Sequence, residues 1–195
     1  MTDEAYQRFL DSMVMNFDMW HDGYGYDLEL LEQLGDEERS SVEALLIRNL
    51  SEAGDWRDVE ALVALGTPSA RKAVEEARHH RKAKVRNYAI RVLLHDPDPE
   101  LEAELEELVI QAVAQGYYDM AEHLPTQRVK QALLDFAREG ERTTRGLAAA
   151  MLLYLCGQAP EPYDWSQRPF FLRFAEGGPE AIRAAWEELR QRVGL

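Results

Sequence analysis

The chain is 195 residues long, 46% hydrophobic and 30% charged, enough apolar material for one core and too much for a disordered polymer. Its 36 acidic and 22 basic residues leave a net charge of −14, which opposes binding to the phosphates of nucleic acid and favours basic partners. No run approaches the roughly eighteen apolar residues of a membrane span. The N-terminal Met-Thr-Asp-Glu-Ala-Tyr-Gln-Arg lacks a signal-peptide pattern, and a lone Cys156 excludes an internal disulfide framework. The expectation is a cytoplasmic protein, a monomer or weak oligomer.

Helix punctuation organises the chain. Asp3 caps a first helix with apolar positions Tyr6, Phe9, Leu10, Met13 and Phe17. The stretch Trp20-His21-Asp22-Gly23-Tyr24-Gly25-Tyr26-Asp27 breaks it with two glycines, and Asp27 caps a short helix closed by Gly35. Asp36 opens a helix to about Ala53. Asp55 opens a shorter one with Val59, Leu62 and Val63 on its apolar face, ending at Gly66. Thr67-Pro68 pairs an N-cap with a proline at the first helical position, and that helix runs to near His80. Its partner spans Lys84 to His95. After the Asp96-Pro-Asp-Pro99 turn, an acidic helix covers Pro99 to Ala114, followed by helices around Tyr118 to His123, Thr126 to Glu139 and Arg142 to Leu155. A proline-rich loop from Gln158 to Trp165 leads to the aromatic stretch Phe170, Phe171, Phe174. A last helix then carries Ile182, Ala185, Trp186, Leu189 and Val193, with Trp186 placed to seal the end of the fold. No segment shows β-branched alternation.

Within this order the middle of the chain reads as written twice. Arg86, Ala89, Leu93 and Leu94 align with Arg145, Ala148, Leu152 and Leu153 at a spacing of fifty-nine. Val42, Leu45, Leu46 and Leu50 align with Leu105, Leu108, Val109 and Val113 at sixty-three. A unit of several short helices repeated in tandem points to an α-solenoid.

The segment from Asp55-Trp-Arg-Asp-Val to Thr67-Pro-Ser-Ala-Arg, followed by Lys84-Val-Arg-Asn-Tyr-Ala-Ile-Arg-Val-Leu-Leu-His-Asp-Pro-Asp-Pro99, resembles a HEAT-like repeat. The second stretch is similar to the B helix of such repeats, with Val-Arg-x-x-Ala in the helix and an Asp-Pro turn after it. The likeness covers about residues 36–157. It implies an all-α fold: a short right-handed α-solenoid of HEAT-like helical hairpins with an irregular, aromatic-rich C-terminal cap. The expected layout is one domain over 1–195, with an N-terminal cap at 1–35, duplicated units at 36–97 and 98–157, and a C-terminal cap at 158–195. The family includes protein scaffolds, bilin lyase subunits, DNA glycosylases and toxin-neutralising proteins, so the resemblance implies little about function.

Catalytic and metal motifs are weak. His79-His80 suits a helix end, where positive charge meets the macrodipole, and no histidine spacing matches a metal site. Cys156 at a helix end reads as a small buried hydrophobe. No catalytic residue, cofactor or metal is expected. The binding candidates are Trp20, His21, Asp22, Tyr24 and Tyr26 in the first loop, with Tyr117 and Tyr118 at the corresponding break of the second unit. Aromatic side chains with polar handles anchor interfaces, although the same residues would serve as a structural cap. Eight of the 22 basic residues lie between Arg71 and Arg91, and an acidic block from Asp96 to Glu107 follows. Either these are solvated faces that neutralise each other, or Arg86, Arg91 and Arg145 line a concave surface that grips a carboxylate or phosphate.

Three functional classes follow. One is a module that captures a basic partner protein, in its most concrete form an immunity-type inhibitor of a cationic toxin. A second is a HEAT-like enzyme or enzyme subunit of DNA glycosylase or bilin lyase type. There Trp56, Trp165 and Asp119 would be the residues pressed into service, against the −14 charge. The third is a structural subunit of a larger assembly.

Overall fold

The computed structural model describes residues 2–14, 21 and 23–195, with the backbone alone for Thr2 and Asp3. The Asp3 side chain expected as a cap, Phe17 of the first helix, Trp20 and Asp22 therefore lie outside the described residues. Among the described residues every element is helical and none is a strand, so the fold is all-α. The chain divides into two compact units, Met1–Leu93 and Leu94–Leu195. Among the described residues no helix is long and apolar enough to cross a membrane.

The first unit holds α1 (Thr2–Ser12), a 3-10 helix (Leu28–Gln33), α2 (Asp36–Glu52), α3 (Trp56–Leu65), α4 (Pro68–Ala77) and α5 (Ala83–Leu93). Helix α1 stops at Ser12 instead of continuing through Met13. The Ser12 hydroxyl donates back to the Phe9 carbonyl at 2.7 Å and accepts from Asp27 N at 3.2 Å. Met13 and Val14 close three-residue bonds onto Leu10 and Asp11, which tighten the last turn. The helix expected after Asp27 is a 3-10 turn, whose six residues bury Leu30 and Leu31 and receive no side-chain cap from Asp27. The starts of α2, α3 and α4 are capped as their residues require. Glu38 accepts from Gly35 N at 2.9 Å, Asp55 and Asp58 exchange a capping box, and Thr67 accepts from Ala70 N. Helix α3 ends at Gly66, whose φ of 67° is the left-handed stop. It buries Val59, Ala61, Leu62 and Leu65, while Val63, expected inside, is 46% exposed on the far side of the stripe. Helix α4 ends at Ala77, three residues short of expectation, and Arg78, His79 and His80 follow as a turn.

The second unit holds α6 (Glu102–Ala114), α7 (Met120–His123), α8 (Gln127–Glu139), α9 (Arg145–Leu155), a 3-10 turn (Trp165–Gln167), α10 (Arg168–Glu176) and α11 (Pro179–Val193). Helix α6 starts later than Pro99 because Asp98 holds the preceding turn, accepting from Glu100 N at 2.9 Å and, at its carbonyl, from Leu101 N at 2.8 Å. Helix α9 is buried all round from Ala148 to Leu153 and packs against α8, α10 and α11, which makes it the centre of this unit. The aromatic stretch near the C-terminus is regular rather than irregular. It forms α10, with Phe170 and Phe174 buried edge to face at 5.5 Å. Trp186 is half-buried and its indole N–H donates to the Leu134 carbonyl at 2.9 Å.

Several hydrogen bonds recur in the two units. Thr67 caps α4 and donates its hydroxyl to Glu43 at 2.6 Å. Thr126 caps α8 and hydrogen-bonds Glu106, sixty-three residues after Glu43. The end of α2 is closed by Gly54 N on Asn49 O at 2.8 Å, and that of α6 by Tyr117 N on Ala112 O at 3.0 Å, each pair again sixty-three apart. Arg86 donates to the His80 carbonyl, six residues back, and Arg145 to the Gly140 carbonyl, five back, so each arginine holds the turn before its own helix. The four-residue difference between the two spacings falls between these landmarks. There the ten-residue α3 of the first unit corresponds in chain order to the four-residue α7 of the second.

Candidate partner-binding site

In the first unit the N-terminus of α3 gathers the polar groups. Asp55-Trp-Arg-Asp58 builds a capping box, so two carboxylates stand at the positive end of the helix. Arg57 is only 4% exposed. Its guanidinium grips Asp55 with two bonds of 2.8 and 2.9 Å and sends a third donor to the Tyr24 carbonyl at 3.3 Å. Burial pushes the Asp55 carboxyl upward, but the Arg57 bonds outweigh it and hold the group below the usual carboxylate range. Asp58, 2% exposed, goes the other way. Its burial raises it, and the bonds from Asp55 N and the Tyr26 hydroxyl offset this only in part. The Tyr26 phenol, donating to Asp58 at 3.0 Å, is raised by burial and by that carboxylate.

This pins the backbone of the first loop while leaving its outer side chain free. Tyr24 is 58% exposed although its carbonyl is held from below, and Tyr26 turns inward, edge-on to Phe9 at 6.2 Å. His21 is exposed. Of the loop candidates, Tyr24 and Tyr26 are thus brought onto α3, and Trp20 and Asp22 fall outside the described residues. Arg91 joins the same surface. It stacks at 4.6 Å on Tyr88, which lies 5.3 Å from Trp56, and Lys84 covers the Trp56 ring at 5.1 Å. Burial raises the Tyr88 hydroxyl, and its hydrogen bond to Glu60 links this stack to α3. Arg86 stands elsewhere on α5, holding the turn at His80.

In the second unit Tyr117 is 39% exposed, whereas Tyr118, expected as a surface anchor, is 2% exposed with its ring edge-on to Phe136 at 5.7 Å. Its hydroxyl is buried without a well-aligned partner among the described residues. Burial raises it, and the neighbouring Thr144 hydroxyl only partly opposes the rise. Tyr163 lies in the loop before α10 and is 38% exposed. Burial and the negative charges of Asp119 and Glu122 push its hydroxyl up to about 12. Trp165 is 72% exposed, with Arg168 at 4.9 Å from its ring. Beside it lies a shallow cavity of about 300 Å³ lined by Gln158, Ser166, Gln167, Pro169, Phe170 and Arg192. Its polar wall is self-satisfied, since Gln167 donates to Gln158 O and accepts from Arg192. Arg145 holds Gly140 O at 2.6 Å.

Sequence reasoning passed over Arg57, Asp58, Glu60, Tyr88 and Tyr163. The Asp-x-x-Asp box was visible, but nothing in one dimension separates a buried arginine in a first helical turn from a solvated one. Among the described residues no three His, Cys, Asp or Glu side chains are grouped to hold a metal ion, and burial pushes the Cys156 thiol up, away from the reactive thiolate. Compared with protein-family models, curated proteins and solved structures, the chain finds no match.

Proposed function

We propose that this protein is a non-enzymatic binding module whose two helical units are HEAT-like repeats of a short α-solenoid, and that it captures a basic partner protein. The observation that carries the reading is the treatment of Tyr24. Its backbone is locked by a buried arginine on a carboxylate-rich helix start, and its ring is presented to solvent. A pre-ordered aromatic side chain loses little entropy on binding, which is what an interface anchor requires. The net charge of −14 adds long-range attraction for a cationic partner. An immunity-type role, in which the module covers a cationic toxin, is the most specific form of this reading. The bonds from Arg86 and Arg145 to their own turns support an anchor role for the tyrosines over a grip on anions by these arginines.

The test is affinity capture of the tagged chain with mass spectrometry at low and high salt. One stoichiometric basic protein, lost at high salt and lost with Tyr24→Ala, is the expected result. Nucleic acid on the column, or a partner held equally by Tyr24→Ala, refutes the reading.

A further inference from the structure

The cavity of the second unit lies where the turn Trp165–Gln167, the start of α10 and the end of α11 meet. Its volume of about 300 Å³ stands at the lower end of the range for small-molecule sites, which suits a ligand smaller than a typical drug. The apolar lining is Pro169 and the Phe170 ring, the latter held edge to face against Phe174. Two guanidiniums rest on the Phe170 ring, Arg192 at 4.8 Å and Arg173 at 5.4 Å. One carboxylate serves both. Glu188 bonds Arg173 and comes no nearer to Arg192 than 3.9 Å. The amides of the polar wall satisfy one another, and this fixes Arg192 in place without consuming it, since the guanidinium gives a single N–H to Gln167 at 3.2 Å. Its other donors have no hydrogen-bond acceptor among the described residues, and its side chain is 42% exposed. At the rim, Asp164 bonds Ser166 through both carboxylate oxygens. Arg168, stacked on the exposed Trp165, is in no ion pair among the described residues. In a chain of net charge −14, the one charged side chain that lines this cavity is thus a cation with donors to spare.

We propose that this cavity binds a small aromatic carboxylate, with the carboxylate on Arg192 and the ring against Phe170 and Pro169. A guanidinium fork matches the two oxygens of a carboxylate, and its orientation here is set in advance by Gln167 and the Phe170 ring. An aromatic body covers the apolar lining that a hydrated inorganic anion would leave wet. A cation is repelled by Arg192, and a neutral ring leaves its donors unanswered. The cavity belongs to the second unit and Tyr24 to the first, so this site stands apart from the capture reading and adds a different class of ligand.

The test uses the purified chain, so its failure is separable from failure to capture a partner. Phenylacetate, the uncharged phenylacetamide and inorganic phosphate are added in turn while NMR follows the side-chain amides of Gln158 and Gln167 and the ring of Phe170. Saturable shifts at these residues with phenylacetate, at a dissociation constant on the order of a millimolar, are expected. Phenylacetamide should bind about tenfold more weakly, because it leaves the charge of Arg192 unmatched. Arg192→Gln should erase that preference while the helical circular dichroism is kept. Should that variant unfold, the comparison of phenylacetate with phenylacetamide on the parent chain still decides. Absent shifts, shifts elsewhere, equal binding of phenylacetamide, tighter binding of phosphate, or a folded Arg192→Gln variant that keeps the preference each overturn the proposal. The tripeptide Gly-Gly-Phe with a free C-terminal carboxylate should bind no more tightly than phenylacetate. A much tighter complex would assign the site to the end of a peptide chain and overturn the small ligand.

Discussion

Replacing Arg57 with alanine removes the group that ties the first loop to α3. Breaking a fully buried ion pair on one side costs about 3–5 kcal/mol, because the remaining charge is left without solvent or partner. Here the Arg57 side chain is 5% exposed but that of Asp55 is 37% exposed, so water can rehydrate the orphaned carboxylate. The expected loss is therefore about 2–3 kcal/mol, at or just below the bottom of that range. The long 3.3 Å bond to the Tyr24 carbonyl adds little to it. For a chain of 195 residues each kcal/mol moves the midpoint by about 2–4 °C, so Tm should fall by about 4–12 °C. Arg57→Lys should recover less than half, because a point ammonium cannot make two parallel bonds to Asp55 and reach Tyr24 as well. Urea unfolding followed by circular dichroism gives the free energy, and the mobility of the Tyr24 ring, read by NMR, reports the loop. A loss below about 1 kcal/mol in the alanine variant, or a lysine variant as stable as the parent, would refute the buried Arg57–Asp55 pair as a stabilising contact, and an unchanged Tyr24 ring mobility would refute Arg57 as the loop's anchor.

The two carboxylates of the α3 capping box predict opposite pH dependences. Asp55 has a lowered folded pKa, so its stabilisation is complete above the ordinary value of about 3.9 and is lost as pH falls through the lowered one. Asp58 is raised, so folding favours its protonated form and stability declines as pH climbs from about 3.9 through the raised value. Urea midpoints measured against pH should lose the second slope in Asp58→Asn and the first in Asp55→Asn. Thr67→Ala and Thr126→Ala should each cost about 1 kcal/mol, since both remove an N-cap and a bond to a glutamate. Unequal costs in denaturant titrations, by more than twofold, would mean the two caps are not equivalent devices. Gly146→Ala should destabilise by about 1–2 kcal/mol despite better helix propensity, because a Cβ there would stand 3.0 Å from the Phe171 carbonyl oxygen. A rise in Tm would show that α10 can yield at that point.

The sequence by itself determined the helices and their order. Thr67 before Pro68, Gly66 at a left-handed φ, Asp36 after Gly35 and the apolar spacing of α2 and α6 act within a turn or two, so one-dimensional reading reaches them. The alignment of Arg86 with Arg145 was legible in it as well, and in the fold each bonds a carbonyl of the turn before its own helix. It misjudged ends where a competing short-range bond intervenes, as at Ser12 and Asp98. Tertiary structure alone decided which polar residues go inside. Arg57 and Tyr24 stand 33 residues apart and Tyr26 and Asp58 32 apart, and their pairing depends on where the chain folds back, not on the residues around either. The same holds for Tyr118 and Tyr163. Their side chains offer identical chemistry in sequence, and the fold buries one hydroxyl while leaving the other ring at the surface. Burial and long-range pairing set the charge, exposure and pKa of a side chain, and those quantities distinguish an anchor from a structural cap.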